Sequence, residues 1–469
     1  MRANAYVGYS EKSAMKKTYD LTVGSPARLI LNFYFPMLFT NLLQQVYNVV
    51  DTAIVGKGLG DNALGAVGNM SSIMFFTFGF SMGLTNGFAV IIGQYFGAGD
   101  KKNLKKTIAA SATLSAILAV LLTLLSSLAL RPLLVAMQTD SLILGDSLKY
   151  GHILMGCIAV TISYNLVSGV LRALGDSRTP LIAIIVATVI NIVFDWVTIN
   201  KWGMGVEGPA YVTVIAQIIS TLICLVRFKR IEEAIPDRTD FRPDMGMFSK
   251  LLKNGVPMAL MNSITAVGCM IVQYFVNGMG LVYTSAYSAC SKYLNIFMMP
   301  SATAGNTLST YTSQNYGAKK YIRIKQGLQI CLTIALVSYV LLGSVMVFGA
   351  EELAGFMLTG SEQIKLASGF LIRCGIMIFA VDFLFIVRNA VQGMGKPFIP
   401  MLSGILEMIL RIGTIMIFTA SAGFAAASYA EIAAWTGALL MNIYAFVRVY
   451  RPLIADSGYR LNRTVAPAK

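Results

Sequence analysis

Long apolar runs are the feature of this sequence that most restricts its fold. A transmembrane helix needs about 20 consecutive, mainly apolar residues, and runs of this length recur along all 469 residues. They lie at 29–56, 64–92, 107–134, 148–174, 180–199, 210–226, 251–276, 284–311, 324–349, 364–391, 398–419 and 425–447. Only 13% of the residues are charged, too few to cover a soluble domain of this size. The sequence therefore predicts an all-α membrane protein with about twelve transmembrane helices.

The net charge of +15 follows the predicted topology. If the N-terminus is cytoplasmic, the basic segments 99–106, 228–242 and 319–325 and the basic C-terminal tail are also inside. The opposite loops carry little beyond Lys57, Arg131, Lys149, Lys201 and Lys365. This asymmetry is the positive-inside pattern of membrane proteins. It predicts a multi-pass protein of the cell membrane with both termini cytoplasmic, and it removes the reason to expect nucleic-acid binding.

Two motifs recur in the second half of the chain. GQYFGAGDKK at 93–102 aligns with SQNYGAKKYI at 313–322, and LRALGDSRTP at 171–180 aligns with VQGMGKPFIP at 391–400. Both alignments have the same offset of 220 in the numbering, which indicates an internal repeat of six helices. Because six is even, both copies enter the membrane in the same direction, a layout used for alternating access in transporters.

The repeat predicts five segments along the chain. These are a cytoplasmic N-terminal segment (1–28), an N-lobe with helices 1–6 (29–228), a cytoplasmic linker (229–249), a C-lobe with helices 7–12 (250–450) and a cytoplasmic tail (451–469).

Polar residues of the first lobe recur on helical faces. In the first helix they are Asn41, Gln44 or Gln45, Asn48, and Asp51 or Thr52. Such a stripe should face a water-accessible cavity, because lipid offers it no hydrogen-bond partners. Pro36 predicts a bend near the start of this helix, since proline removes a backbone hydrogen bond.

Asp195 is the most informative of these polar residues. An Asp at the centre of a membrane helix costs about 2.5–3.5 kcal/mol on insertion scales, so it is a functional-site hypothesis by default. Asn191 stands one turn earlier on the same face, and Thr213 lies in the next helix. Interhelical packing is the alternative role for Asn191 and Asp195, but Asp is a poor choice for it.

The second lobe has different charges in its apolar runs: Lys292, Arg373, Asp382, Arg388, Glu407 and Arg411. Glu407 and Arg411 are one turn apart on one helix and can neutralise one another. Asp382 has no basic partner at helical spacing, which makes it a candidate for substrate binding. At the repeat offset Asp51 aligns with Ile271 and Asp195 with Ile415, so the carboxylate pair belongs to the first lobe alone.

The sequence resembles the multidrug and toxic compound extrusion (MATE) family over essentially its whole length. The resemblance rests on VDTAIVG (50–56), GQYFGAGD (93–100), LRALGDSRTP (171–180), and Asn191, Asp195 and Thr213. It implies a V-shaped, two-lobed transporter that exports organic cations in exchange for H⁺ or Na⁺. It also implies that Asp51, Asn191, Asp195 and Thr213 form the cation-coupling site, and that they are the ligands if the ion is Na⁺.

The other expectations concern the substrate and the partners of the chain. The candidates for the substrate cavity are Gln44, Asn48, Asp382 and Lys292. We expect a monomer without an organic cofactor, whose partners are small organic cations and the bilayer.

Three alternatives to cation export make different demands on the sequence. A primary pump needs a P-loop, and no such motif is present. GAGD at 97–100 matches the GxGD of membrane-embedded aspartyl proteases, but it lies in a predicted basic loop, where Asp100 is expected to cap the third helix. The third alternative is a flippase for a lipid-linked polysaccharide or cell-wall precursor. Its anionic cargo would be met by Lys292, Arg373 and Arg388.

Overall fold

A computed structural model describes residues 20–137 and 139–456, apart from the side chains of Asp61, Ser71, Ser72, Phe75, Phe76 and Asp456. Most of the predicted N-terminal segment and the end of the predicted tail lie outside these ranges. The described residues form helices, turns and loops, and no strand occurs among them. The predicted all-α fold class is confirmed.

The described part of the chain contains fifteen α-helices. They are α1 Pro26–Leu59, α2 Asp61–Gly97, α3 Lys101–Ala136, α4 Ser141–Gly156, α5 Ile158–Ala173, α6 Arg178–Asn200, α7 Glu207–Phe228, α8 Met245–Met279, α9 Leu281–Gly317, α10 Tyr321–Ser338, α11 Ser344–Phe348, α12 Ala350–Met357, α13 Ser361–Gly393, α14 Phe398–Ala422 and α15 Ala425–Asp456. A π-helical turn, Tyr339–Gly343, joins α10 to α11. Two 3₁₀ turns, Glu232–Ala234 and Arg238–Phe241, lie between α7 and α8.

The predicted apolar runs all fall on these helices. Eight spans of the described chain, with α10–α11 taken as one, are long and apolar enough to cross a membrane, and the pair α4–α5, bent by 45°, makes a ninth. Helices α1, α2 and α9 are also long, at 34, 37 and 37 residues, but contain more polar side chains. Polar residues in a long membrane helix face protein or water rather than lipid.

Contacts within the chain define two compact units. Unit 1 comprises residues 20–71 and 92–244, and unit 2 comprises residues 72–91 and 245–456. The long helix α2 therefore contributes to both: its two ends belong to unit 1 and its middle belongs to unit 2.

The backbone repeats at the same offset as the motifs. Helices α2 and α9 have the same length, and their first residues, Asp61 and Leu281, are related by that offset. Positive φ angles recur in four pairs with the same relation: Gly60 with Gly280, Gly99 with Lys319, Gly175 with Gly395, and Gly203 with Gly423. Lys319 is the only described residue other than glycine with a positive φ. The two halves thus turn the chain at corresponding positions, even where the residue type differs.

Glycines allow a close crossing of α2 and α8 within unit 2. A methyl group built on Gly87 would lie 2.4 Å from Cα of Gly255, and one built on Gly83 would lie 2.6 Å from Cα of Ala259. Small residues at such crossings let membrane helices pack backbone against backbone.

The loop before α3 is ordered by Asp100. Its Oδ1 accepts a hydrogen bond from the backbone N–H of Asn103, at 3.1 Å, so the predicted N-cap is confirmed. This bond, together with one from the Asn103 side chain, lowers the pKa of the Asp100 carboxyl. The following basic stretch then meets the linker: Lys101 Nζ lies 3.0 Å from Glu233 Oε1, and Lys105 Nζ lies 2.9 Å from Asp237 Oδ2.

Candidate functional site

The candidate site of unit 1 is built on α6, which packs against both α1 and α7. Asp195 is fully buried, with 0% of its surface exposed. Asn191 lies one turn earlier and is also buried, and its Nδ2 donates to the carbonyl oxygen of Ala187 at 2.9 Å. This bond leaves the Asn191 Oδ1 atom without a partner among the described residues. The shared face predicted for Asn191 and Asp195 therefore presents three acceptor oxygens.

Asp51 on α1 completes a pair of carboxyls. Its side chain lies within hydrogen-bonding reach of the Asp195 carboxyl. Ionised carboxylates have acceptors only, so a bond between two of them requires a shared proton. Without one, Asp51 Oδ1 and both carboxylate oxygens of Asp195 have no hydrogen-bond partner among the described residues. The contact brings two negatively charged groups together, so a shared proton or a bound cation is needed to stabilise it.

Two tyrosines lie beside the carboxyl pair. The hydroxyl of Tyr47, one turn before Asp51 on α1, lies 3.2 Å from Thr213 Oγ1 on α7, and either atom can donate the hydrogen bond. Tyr47 and the buried Tyr150 of α4 are both close enough to interact electrostatically with Asp51 and Asp195. Neither tyrosine was predicted. The one-turn spacing of Tyr47 and Asp51 was a sequence signal that could have identified Tyr47 as a site residue. No such spacing links Tyr150 to the carboxyl pair.

The chemistry of this group suits a small hard cation or a proton. Two carboxylates, an amide oxygen and a hydroxyl are all oxygen donors, the type that hard cations prefer. No cluster of three or more His, Cys, Asp or Glu side chains that could hold a metal ion occurs among the described residues. Neutral oxygens of Asn191 and Thr213 would therefore have to complete a Na⁺ site at Asp51 and Asp195.

The polar stripe of α1 divides in the structure. Tyr47 and Asp51 are partly buried towards α6 and α7, whereas Gln44 and Asn48 are exposed. The helix continues through Pro36, whose carbonyl oxygen accepts a hydrogen bond from Thr40 Oγ1 at 2.8 Å. The predicted bend at Pro36 stays a prediction.

The other substrate candidates, Asp382 and Lys292, lie in unit 2. Asp382 on α13 is buried beside Ser301 of α9, and no described basic side chain forms an ion pair with it. Asp382 Oδ1 and Ser301 Oγ have no hydrogen-bond partner among the described residues. Lys292 is exposed and has no carboxylate partner in the described chain.

The buried charges at α14 neutralise one another. Arg411 Nη1 lies 3.6 Å from Glu407 Oε2, as the spacing on α14 predicted. Arg388 also pairs with Glu407, and Arg411 Nη2 lies 3.0 Å from Oε2 of Glu431 on α15. Glu431 was not predicted, because it lies on a different helix and has no one-turn spacing to Arg388, Glu407 or Arg411.

Comparison with known proteins agrees with this fold. The family model MatE matches residues 36–197 and 257–417, one range in each half of the chain. The chain is 30% identical to probable multidrug resistance protein YoeA of Bacillus subtilis over 71% of this chain and 74% of that protein. It is 23% identical to the FAD transporter of Shewanella oneidensis, over 84% and 88% of the two chains.

Solved structures share the same architecture. A crystal structure of MATE in the bent conformation superposes with a TM-score of 0.89 at 20% identity, covering 95% of this chain and all of that one. The likeness to solved structures shows the fold, and the family model and the YoeA relative show the family. The chain is a multi-pass membrane protein and belongs to the MatE family, the multidrug and toxic compound extrusion transporters.

Proposed function

We propose that this chain exports small organic cations in exchange for H⁺ or Na⁺, with Asp51, Asn191, Asp195 and Thr213 as the coupling site. One observation carries the proposal: the partly buried Asp51 carboxyl reaches the fully buried Asp195 carboxyl, and Asp51 Oδ1 and both carboxyl oxygens of Asp195 have no hydrogen-bond partner among the described residues. A bound proton or Na⁺ removes the repulsion between the two carboxylates and supplies a partner for their oxygens.

Exchange follows if the ion and the substrate compete. Binding of H⁺ or Na⁺ removes negative charge from the site and weakens its attraction for an organic cation. The ion must also bind one conformation of the transporter more tightly than the other, because a ligand with equal affinity for both shifts nothing. Tyr47 and Thr213 link α1 to α7 beside the carboxyls, so ion binding at Asp51 and Asp195 can change how these helices hold together.

Relatives support a multidrug substrate range, since YoeA is named as a multidrug resistance protein. We extend that substrate class to this chain. The rest of the proposal is a monomer in the cell membrane with both termini cytoplasmic and without an organic cofactor.

An anionic substrate is the second candidate, either a lipid-linked precursor or a molecule like that of the relative named FAD transporter. Such a substrate needs cationic side chains that are free to bind it. Arg388 is paired with Glu407. Arg373 Nε donates to Ser428 Oγ at 2.7 Å, so its guanidinium is held by a neutral hydroxyl, and Lys292 is exposed. Neither has a carboxylate partner in the described chain, but two separate cations are weak support compared with the carboxyl pair.

The test is transport in reconstituted liposomes. The wild-type protein is given a pH gradient or a Na⁺ gradient, and uptake of a fluorescent organic cation is followed. We expect one of the two gradients to drive transport, and Asp195→Asn to abolish the gradient-driven part. Thr52→Val is the matched control, because Thr52 is exposed and its hydroxyl, among the described residues, donates only to the Asn48 carbonyl of its own helix. Undiminished gradient-driven transport in Asp195→Asn would contradict the assignment, and absence of transport under both gradients would favour the anionic substrate.

A further inference from the structure

Arg411 holds the place in unit 2 that Asn191 holds in unit 1. At the repeat offset, Asn191 corresponds to Arg411. The other five residues of the candidate site in unit 1 have apolar counterparts. These are Ile271 for Asp51, Ile415 for Asp195, Ala433 for Thr213, Val267 for Tyr47 and Phe370 for Tyr150. Asn191 is therefore the only one of these residues whose counterpart in unit 2 is polar, and that counterpart is the guanidinium-bearing Arg411.

The helices around Arg411 also correspond. In unit 1 the site lies where α6 meets α1 and α7, and their counterparts in unit 2 are α14, α8 and α15. Arg411 extends from α14, and its Nε and Nη2 lie 3.1 and 3.0 Å from Glu431 Oε2 on α15. On the α8 side, a methyl group built on Gly268 would lie 3.4 Å from Arg411 Nη1. The guanidinium thus contacts all three helices at their junction.

The charge at this junction is balanced without a bound ion. Glu407 pairs with Arg388 and Arg411, and Glu431 pairs with Arg411 and accepts a hydrogen bond from the Tyr287 hydroxyl at 3.5 Å. These two carboxylates and two guanidiniums are all buried. If Arg411 were removed, Arg388 could still pair with Glu407, but Glu431 would keep no cationic partner among the described residues.

We propose that Arg411 is a tethered cation that permanently occupies the unit 2 counterpart of the unit 1 ion site, and that Glu431 is its principal anionic ligand. The comparison with an ion site rests on the proposed function, whereas the occupancy by Arg411 rests on the contacts alone. Without this side chain the junction becomes a binding site for a free monovalent cation of the guanidinium class. In the native protein the junction takes up no coupling ion.

Chemical rescue tests the proposal on the full-length protein in detergent. Arg411→Ala should melt at a lower temperature than wild type, and millimolar guanidinium chloride should raise its melting midpoint in a saturable way. Sodium chloride at the same ionic strength and urea at the same concentration serve as solution controls. Arg411→Ala/Glu431→Gln, which has no uncompensated carboxylate, should melt above the single variant and should not respond to guanidinium. Equal responses of the two variants, or none in either, would overturn the proposal.

Arg373→Ala is the matched control for loss of an arginine in unit 2. Its guanidinium bonds to Ser428 and lies 5.9 Å over the Tyr429 ring, without a carboxylate partner in the described chain. Guanidinium should therefore not rescue it. If Arg411→Ala fails to accumulate in membranes, accumulation becomes the readout. Guanidinium in the growth medium should restore the single variant, and the double variant should accumulate without it. Equal failure of both would reject the proposal.

Hydrogen exchange on the wild type separates this inference from the proposed function. The coupling ion should slow exchange in α1 and α6 and leave α8 and α14 unchanged; slowing in α8 and α14 as well would contradict the inference. If the ion changes exchange nowhere, the proposed function fails, while the guanidinium experiment still decides whether Arg411 fills a cation site.

Discussion

The partly buried carboxyl of Asp51 on α1 lies within hydrogen-bonding reach of the fully buried carboxyl of Asp195 on α6. Two ionised carboxylates so close to each other repel, and burial removes the water that would weaken the repulsion. A bound proton or cation converts this repulsion into a stabilising contact. The stability of unit 1 should therefore depend on the coupling ion.

Asp195→Asn should remove that dependence. The wild-type melting midpoint in detergent should rise with the coupling ion, because a ligand that binds only the folded state at 100 times its Kd stabilises by about 2.7 kcal/mol. The variant replaces one carboxylate with an amide, whose NH₂ group can donate a hydrogen bond to Asp51 without any bound coupling ion. Its melting midpoint should therefore not change with the ion. A thiol-reactive dye can follow melting, since the chain has buried free cysteines at positions 224, 290, 331 and 374. An unchanged ion response in Asp195→Asn would place the ion elsewhere.

Tyr47 and Thr213 should be energetically coupled across α1 and α7. Tyr47→Phe and Thr213→Val each remove one hydrogen-bonding group of the 3.2 Å contact, and each should lower stability by about 1 kcal/mol. The double variant should cost less than the sum of the two, with a coupling energy on the order of 1 kcal/mol. Strict additivity would show that the contact contributes nothing. Thr52→Val, an exposed change on α1, should stay within about 0.5 kcal/mol of wild type.

Gly87→Ala should destabilise unit 2 through the crossing of α2 and α8. The added methyl group would lie 2.4 Å from Cα of Gly255, so the helices must move apart. Overpacking of this kind costs about 1–3 kcal/mol. Gly79→Ala is the control on the same helix, because nothing lies within 4 Å of its added methyl group. It should be neutral or stabilising by up to about 1 kcal/mol, and equal melting midpoints for the two variants would contradict the close crossing.

Lys319→Gly should stabilise the protein. Lys319 has φ 57° at the position that corresponds to Gly99, whose φ is 70°. The left-handed region costs a residue with a side chain about 1–2 kcal/mol, and the greater freedom of glycine in the unfolded chain offsets part of the gain. We expect a net gain of about 0.5–1 kcal/mol for Lys319→Gly and a similar loss for Gly99→Ala. Changes of the same sign in the two variants would contradict the backbone repeat at these positions.

Asp100 should stabilise the start of α3 at neutral pH and lose that effect in acid. Its hydrogen bonds from Asn103 lower the pKa of the folded carboxyl, so their contribution is present above the ordinary carboxyl pKa of about 3.9 and is lost as the pH falls through the lower, folded value. Asp100→Ala should cost about 1 kcal/mol at pH 7. Asp100→Asn, a good N-cap, should cost much less. The melting gap between wild type and Asp100→Ala should narrow in acid, and a constant gap from pH 7 to pH 3 would show that the charge plays no part.

Local periodicity predicted much of this molecule. Apolar runs indicated the helices, because burying a helix in lipid requires a run of fixed length whatever its neighbours are. The pairing of Glu407 with Arg411 and the cap at Asp100 were also predictable, since both depend on spacing within one element. The repeat offset was visible in the motifs, and it recurs in the positive φ angles of glycines such as Gly175 and Gly395.

Contacts between helices were decided by the tertiary structure. The approach of Asp51 to Asp195 depends on how α1 and α6 are rotated and set in depth against each other, and helical spacing contains neither quantity. The same limit hid Tyr150 and Glu431, each of which joins its group from a separate helix. The sequence by itself determined the all-α membrane fold, its repeat and most of its candidate ion-binding residues. Packing decided that Asp51 and Asp195 share one place, while at the corresponding place in unit 2 Arg411 lies against Glu431.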